Sequence, residues 1–166
     1  MLHMFTLLAT LAVAPTYATT QPSEERVEQD SLPMSSDAFW GVLLQSKITY
    51  RTKPPYITAV IPDSIKTYQH KPINVSGFIL PLDASEHTKH FLLSKRTPTC
   101  PFCPPGEPNE ILEVFTDKPV KVGYDLFNVR GTFELTNDTN QGIFFTLKKA
   151  AARKVEPDVV NGKPMW

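Results

Sequence analysis

The sequence predicts an all-β fold, a small OB-like Greek-key barrel with a short connecting helix. Short runs of β-branched and aromatic residues, separated by turn-forming residues, recur along the chain from residue 72 onward. Gly77 and Gly131 lie in the middle of two of these runs, where small barrels need bends or bulges. Sixteen prolines and the scarcity of uninterrupted helical periods argue against an all-α fold.

The first 18 residues are typical of a secretory signal peptide. An uncharged apolar run covers residues 4–14, and the small residues Thr16 and Ala18 follow at the two positions that a signal peptidase reads. The run is too short to span a bilayer, and no later segment is long and apolar enough to do so. The sequence therefore predicts an exported, soluble periplasmic protein with no integral membrane segment after cleavage.

Residues 19–36 are polar and acidic and predict a flexible leader, and residues 37–150 predict one barrel domain followed by a tail over residues 151–166. The apolar run at residues 39–44 begins the domain, with Trp40 expected in the core. Ile48 and Tyr50 indicate a strand that follows this run. Asp63 is expected to cap a short helix that turns Ile65 inward.

The strands of the barrel are predicted from apolar, β-branched runs bounded by turn chemistry. The runs are residues 72–82, 91–93, 111–115, 120–122, 127–135 and 143–148. In the first run, Ile73, Val75, Gly77 and Ile79 share one face of the strand.

The charge of the chain excludes a general affinity for nucleic acid. Lys plus Arg and Asp plus Glu both number 17, so no bulk attraction to phosphate backbones is expected. A local basic run contains Lys148, Lys149, Arg153 and Lys154. It could bind phosphate or an anionic lipid headgroup, although such runs are more often solvated strand ends.

Cys100 and Cys103 are the two cysteines of the chain, and His87 and His90 lie shortly before them. A Cys-x-x-Cys turn places two thiolates on one ion, and imidazole completes the tetrahedral sites that zinc prefers. The predicted metal ligands are therefore Cys100, Cys103, His90 and His87. Zinc is the expected metal, with copper(I) as a competitor because thiolates suit both.

The backbone at residues 86–90 decides how many histidines can bind. Residues i and i+3 share a face in a helix or turn and point to opposite faces of a regular strand. Both His87 and His90 can bind one ion if residues 86–90 form a turn. If His90 already belongs to the following strand, it binds without His87, and His90 is therefore the favoured third ligand.

Two other uses of the cysteines stay open. Cys100 and Cys103 could form a loop disulfide, since an exported protein meets an oxidising compartment. A redox role would use Lys95 and Arg96 to lower a thiol pKa. The prolines at 104 and 105 disfavour the helix that a thioredoxin-type redox site needs after its first cysteine. No nucleophile elbow or metalloprotease spacing is present, so the protein is not expected to be an enzyme.

The chain resembles an uncharacterised family of exported bacterial proteins known as a domain of unknown function. The resemblance is carried by residues 75–82, 90–93, 100–105 and 108–111, with Trp40 before them and residues 129–133 after them. It implies a small OB-like barrel in the periplasm, encoded in some members near ABC transporters associated with zinc supply. It brings no enzymatic activity.

Two functions are therefore predicted. The first is a periplasmic metal-binding or metal-handling accessory protein that uses Cys100, Cys103 and the nearby histidines, with zinc as the expected metal. The alternative is a non-enzymatic envelope interaction module, with an ABC transporter or another envelope protein as its partner and the cysteine pair as a loop disulfide. A thiol-disulfide redox protein is the third and weakest hypothesis.

Overall fold

The computed structural model describes residues 27, 30–52, 55–99, 106–156, 158–160 and 163–165. Besides the helical residues Val27 and Asp30, two short helices and a single 3-10 turn accompany nine strands in these ranges. In chain order the elements are α1 (Ala38–Leu43), β1 (Lys47–Thr52), β2 (Pro55–Val60), α2 (Asp63–Lys66), β3 (Pro72–Pro81), β4 (His87–Ser94), the 3-10 turn (Pro108–Glu110), β5 (Ile111–Lys121), β6 (Leu126–Asp138), β7 (Ile143–Lys154), β8 (Asp158–Val160) and β9 (Lys163–Met165).

Five strands close into a barrel in the order β3–β4–β5–β7–β6, and β6 pairs with β3 to complete the ring. The pairing of β5 with β7 is parallel, and the other pairs in the barrel are antiparallel. A closed, five-stranded Greek-key arrangement is the architecture of OB-like barrels. The predicted all-β fold is confirmed, and β1–β2 and β8–β9 form two further antiparallel pairs.

The alternation in β3 shows how the sequence builds the barrel. Ile73, Val75 and Ile79 are buried in the core, as their period of two predicts. Gly77 lies where β3 leaves its pairing with β6, over residues 72–78, for its pairing with β4, over residues 78–81. A Cβ atom at Gly77 would stand 2.7 Å from the backbone oxygen of Ser94, so this close approach requires glycine.

Helix α1 packs its apolar face against the barrel core. Phe39, Trp40 and Leu43 are buried in the same cluster as the barrel side chains. The ring of Phe39 meets those of Phe133 and Tyr68 edge to face, with centroids 5.6 and 5.2 Å apart. The predicted core position of Trp40 is confirmed.

Helix α2 is the predicted short connecting helix, with Ile65 fully buried. The residue at its N-cap is Pro62, and no side chain caps the helix there. The expectation that Asp63 provides the cap is therefore wrong. Asp63 lies inside the first turn, where its carboxylate accepts a hydrogen bond from Lys66 Nζ at 2.8 Å.

The predicted strands at residues 111–115 and 120–122 are one continuous strand, β5. The buried hydroxyl of Thr116 donates to the backbone oxygen of Lys118 at 2.8 Å and lies 3.3 Å from that of Lys89. These contacts carry the chain through a register shift between β4 and β5. The last barrel strand, β7, continues to Lys154.

The chain before α1 runs along the barrel. Met34 forms an isolated antiparallel bridge with Arg96, and Ser35 N donates to the backbone oxygen of Lys95 at 2.8 Å. Asp37 then bonds the β3 edge, because its Oδ2 accepts from Ser76 N at 2.9 Å. The end of the predicted leader, residues 19–36, is thereby attached to the domain.

None of the helices in the described ranges has the length and apolar character needed to cross a bilayer. The predicted signal peptide, residues 1–18, lies outside the described residues.

Candidate functional site

The cysteine loop connects β4 to the 3-10 turn that precedes β5. Cys100 and Cys103 lie outside the described residues, which approach the cysteines from both sides and end at Thr99 and Gly106. The geometry available for the site is therefore that of the loop ends and of the surfaces next to them.

A buried carboxylate joins the two ends of this loop. The side chain of Glu110 is 5% exposed, and its Oε2 accepts from Arg96 Nε at 2.9 Å and from the backbone N of Glu107 at 3.1 Å. Lys95 Nζ lies 3.9 Å from the other carboxylate oxygen. We call these three side chains, Lys95, Arg96 and Glu110, the Glu110 cluster. It contacts the chain on both sides of the cysteines.

The backbone around the Glu110 cluster is equally constrained. Lys95 N donates to the backbone oxygen of Glu110 at 3.0 Å, which extends the β4–β5 pairing beyond Ser94 and Ile111. Glu107 and Glu110 form a reciprocal capping box around the 3-10 turn. A Cβ atom at Gly106 would lie 2.7 Å from Glu110 Oε2, so glycine leaves room for the carboxylate.

Each charged side chain of the cluster has a neighbour of opposite charge. The hydrogen bond from Arg96 to Glu110 raises the pKa of the guanidinium above its ordinary value, against the opposing effect of its partial burial. Arg96 also contacts the Asp30 carboxylate, and Thr97 Oγ1 donates to the backbone oxygen of Pro33 at 2.6 Å. The segment before α1 therefore also holds the first end of the loop.

His90 lies in β4 and has partners on the outer surface of the barrel. Its Nε2 is 2.8 Å from Glu113 Oε1. Its ring stacks on Phe115 with centroids 4.2 Å apart and planes 12° apart. A histidine whose second nitrogen bonds a carboxylate is held in one orientation, as the histidine ligands of metal sites commonly are.

His87 is the first residue of β4 and pairs with Lys121, whereas the cysteine loop follows the last residue of the strand, Ser94. The structure thus has the second of the two predicted backbones, in which His90 belongs to the strand and residues 86–90 are not a turn. In the described part of the chain, no group of three or more His, Cys, Asp or Glu side chains could hold a metal ion.

An apolar groove of about 380 Å³ adjoins the second end of the cysteine loop. Its walls come from four places: the end of β3 with the following residue, the β4–β5 face, the β1–β2 pair, and the β6–β7 turn. Its lining includes Tyr50, Leu80, Pro81, Leu82, Gly106 and Gly142. A smaller cavity of about 160 Å³ shares Leu80 and Pro81 and is lined by Thr99. The two described loop ends therefore lie in the walls of two neighbouring cavities.

Sequence reasoning missed the role of Glu110. It treated Arg96 as a candidate for lowering a thiol pKa, but the structure pairs Arg96 with a carboxylate. The available signal was the spacing Glu107-Pro108-Asn109-Glu110, since an acceptor three residues before a Glu, with Pro at the first helical position, is typical of a capped turn.

Comparisons with known proteins identify the family. A family model described as a protein of unknown function, DUF3299, matches residues 22–156, so the chain belongs to this family. The resemblance to a family of unknown function is confirmed. A solved structure of a DUF3299 family protein from Pseudomonas aeruginosa PAO1 is 27% identical, with 60% of this chain and 70% of that chain covered and a TM-score of 0.47. No curated protein matches the chain.

Proposed function

We propose that this DUF3299 family member is an exported, non-enzymatic metal-binding accessory protein that holds zinc through Cys100 and Cys103, with copper(I) as the competing metal. The observation that carries the proposal is the Glu110 cluster, which joins residues on both sides of the cysteines. Because noncovalent contacts already close the loop, the thiols are not needed as a staple and are available as ligands.

The same cluster argues against a redox role. Lys95 and Arg96 are the nearby cations that would lower a thiol pKa, and both contact Glu110. Arg96 also contacts Asp30, so the two cations face two carboxylates, which offset their charge.

His90 is the proposed third ligand. Its Nε2 faces Glu113, so a metal would bind its Nδ1, the arrangement in which a carboxylate orients a histidine ligand. We expect His87 to contribute less than His90, since it begins β4 at the end away from the loop.

Metal analysis of the purified protein tests the proposal. The wild type, prepared under reducing conditions and incubated with zinc, is expected to retain about one zinc ion per chain after desalting, and Cys100→Ser and Cys103→Ser are expected to lose it. His90→Gln should weaken zinc binding, and His70→Gln, on an exposed turn, is the matched control. A metal-free wild type with both thiols reduced and titratable would contradict metal binding.

A second function, an envelope interaction module with the cysteine pair as a disulfide, is favoured by the apolar groove. Leu82, with 49% of its surface exposed, lines this groove, and so does Tyr50, with 56%. In OB barrels the corresponding face, between the first and the last turn of the barrel, is a common ligand site. The proposed occupant is an extended apolar segment of an ABC transporter subunit.

A photo-crosslinking residue at Leu82 separates this second function from the first. In cells it should give one adduct with a transporter subunit, unchanged by Cys100→Ser, whereas the same residue at exposed Val60, outside the groove, should give none. Identical patterns at the two positions would contradict a specific partner in the groove.

A further inference from the structure

A polar groove of about 470 Å³ lies on the outer face of β3, β6 and β7. Its lining follows from the strand register, because outward residues of neighbouring strands stand opposite one another. One row contains Asn74, Arg130 and Ala151, and the next contains Ser76, Asn128 and Arg153. The inward neighbours, such as Val75 and Val129, are fully buried. The barrel itself therefore fixes which side chains face this groove.

The two arginines are close together, and no carboxylate among the described residues pairs with either of them. Arg153 stands opposite Asn128, two residues from Arg130 on the same face, so the arginines are diagonal neighbours across β6 and β7. Within the described residues neither guanidinium has an ion-pair partner, and no carboxylate lines the groove.

The nearby lysines differ in this respect. Lys148 pairs with Glu134 at 2.8 Å, and Lys154 pairs with Asp125 at 3.1 Å. The basic run noted in the sequence is thus divided by the fold. Two of its lysines are neutralised by carboxylates, and Arg153 is joined instead by Arg130 from another strand. Lys149, the fourth residue of the run, is exposed and does not line the groove, so the two arginines supply the charge there.

The groove also offers neutral hydrogen-bonding groups and space. Asn128 Nδ2 donates to Ser76 Oγ at 3.0 Å, which orients this amide beside the arginines. Ala151 has a small side chain and leaves the groove open between the longer ones. Two planar guanidinium groups with amide donors match the oxygen atoms of a phosphate group.

We propose that Arg130 and Arg153, assisted by Asn74 and Asn128, form a binding site for a phosphate group, supplied either as free phosphate or by an anionic phospholipid headgroup. The site lies on β3, β6 and β7, and it requires neither the cysteines nor a metal. Its success or failure is therefore independent of the proposed function.

Binding measurements on the full chain test this site. In the first measurement, inorganic phosphate is titrated into ¹⁵N-labelled protein and the amide shifts are followed. In the second, the protein is sedimented with two kinds of vesicle, one of phosphatidylcholine alone and one of equal parts of phosphatidylcholine and phosphatidylglycerol. Arg130→Gln with Arg153→Gln should weaken the binding of whichever phosphate source is used by about tenfold or more. Lys89→Gln with Lys121→Gln removes the same charge from β4 and β5 and should leave binding unchanged.

The phosphate titration and the vesicle sedimentation together distinguish free phosphate from a lipid headgroup as the ligand. Saturable amide shifts with phosphate, centred on the groove and without vesicle binding, would support a free phosphate ligand. Binding to vesicles that contain phosphatidylglycerol, lost in the Arg130 and Arg153 double variant alone, would support a lipid headgroup. Binding in neither arm would overturn the proposal.

Two further comparisons test the chemistry of the site. Arg130→Lys with Arg153→Lys keeps the charge and loses the planar donors, so it should bind more weakly than the wild type. If this variant binds phosphate as strongly as the wild type does, the groove is only a positively charged surface, and the proposed site is overturned. Stronger binding of a poly-glutamate peptide than of phosphate at the same ionic strength would also overturn it.

Discussion

The indole Nε1–H of Trp40 donates a hydrogen bond to the backbone oxygen of Ser76 over 2.7 Å. Trp40 is 1% exposed, and the same oxygen also accepts from Ser35 Oγ at 2.6 Å. Ser76 lies on the part of β3 that precedes its pairing with β4. Residues before and within α1 therefore supply the hydrogen bonds that this part of β3 does not receive from β4.

Trp40→Phe is expected to destabilise the protein by about 1–3 kcal/mol, because it removes one hydrogen bond and part of a buried ring. The Ser76 oxygen keeps Ser35 as a donor, which limits the loss. Trp40→Ala should cost more, about 3–5 kcal/mol, because it empties most of the site. Urea unfolding followed by far-ultraviolet circular dichroism measures both values, and equal losses would contradict this division.

Two glycine substitutions of the same size are expected to have opposite effects. In Gly77→Ala the added methyl group would stand 2.7 Å from the Ser94 oxygen and 2.9 Å from Leu93 Cγ, so we expect a loss of about 1–3 kcal/mol or more. In Gly41→Ala the methyl group meets nothing within 4 Å in the middle of α1. This variant should gain about 0.5–1 kcal/mol. Thermal unfolding of the two variants measures both effects. A Gly77→Ala variant as stable as the wild type would show that β3 does not need the close approach to Ser94.

The fold could be predicted from the sequence wherever the residue pattern within one strand decides which side chains are buried. The alternation of Ile73 and Val75 with polar residues predicted their burial correctly, because the side-chain period of a strand is local information. The continuity of β5 was not predicted, since it depends on Thr116 bonding Lys89 and Lys118, of which Lys89 lies on another strand. No local pattern encodes such a contact.

Less of the candidate site could be predicted from the sequence. The Cys-x-x-Cys spacing indicates the loop. The role of Glu110 depends on its hydrogen bond with Arg96, fourteen residues earlier, and on the burial of its carboxylate at the 3-10 turn. The groove on β3, β6 and β7 combines Arg130 and Arg153, which are 23 positions apart in sequence and diagonal neighbours in the sheet. Charge counts along the chain cannot find such pairs, because the register is a property of the closed barrel.

The hydrogen bond from Lys66 lowers the pKa of the Asp63 carboxyl from its ordinary value, with the charge of Lys66 as the second cause. A folded pKa below the unfolded one favours folding above the unfolded pKa, and this contribution is lost as the pH falls through the folded pKa. Carbon-13 titration should therefore place the Asp63 midpoint below that of a model aspartate. Lys66→Met should return it towards the ordinary value, as should 1 M salt. An unchanged midpoint in Lys66→Met would assign the shift to another group.

Arg96→Met should destabilise the protein by about 3–5 kcal/mol, because it leaves the 5% exposed carboxylate of Glu110 without its closest charged partner. Arg96→Met with Glu110→Leu should be more stable than Arg96→Met alone, since the unmatched buried charge is gone. Lys148→Met breaks the more exposed pair with Glu134 and should change stability by no more than about 1 kcal/mol. Urea unfolding compares the three variants.

Zinc titration of the same variants connects this stability to the cysteine loop. If the Glu110 cluster positions the loop for metal, Arg96→Met with Glu110→Leu should bind zinc more weakly than the wild type, because the thiols are no longer held close together before binding. Lys148→Met should bind zinc as the wild type does. Equal zinc affinity in all of these proteins would show that the cysteines bind zinc without help from the cluster, and the proposed role of Glu110 would then be limited to stability.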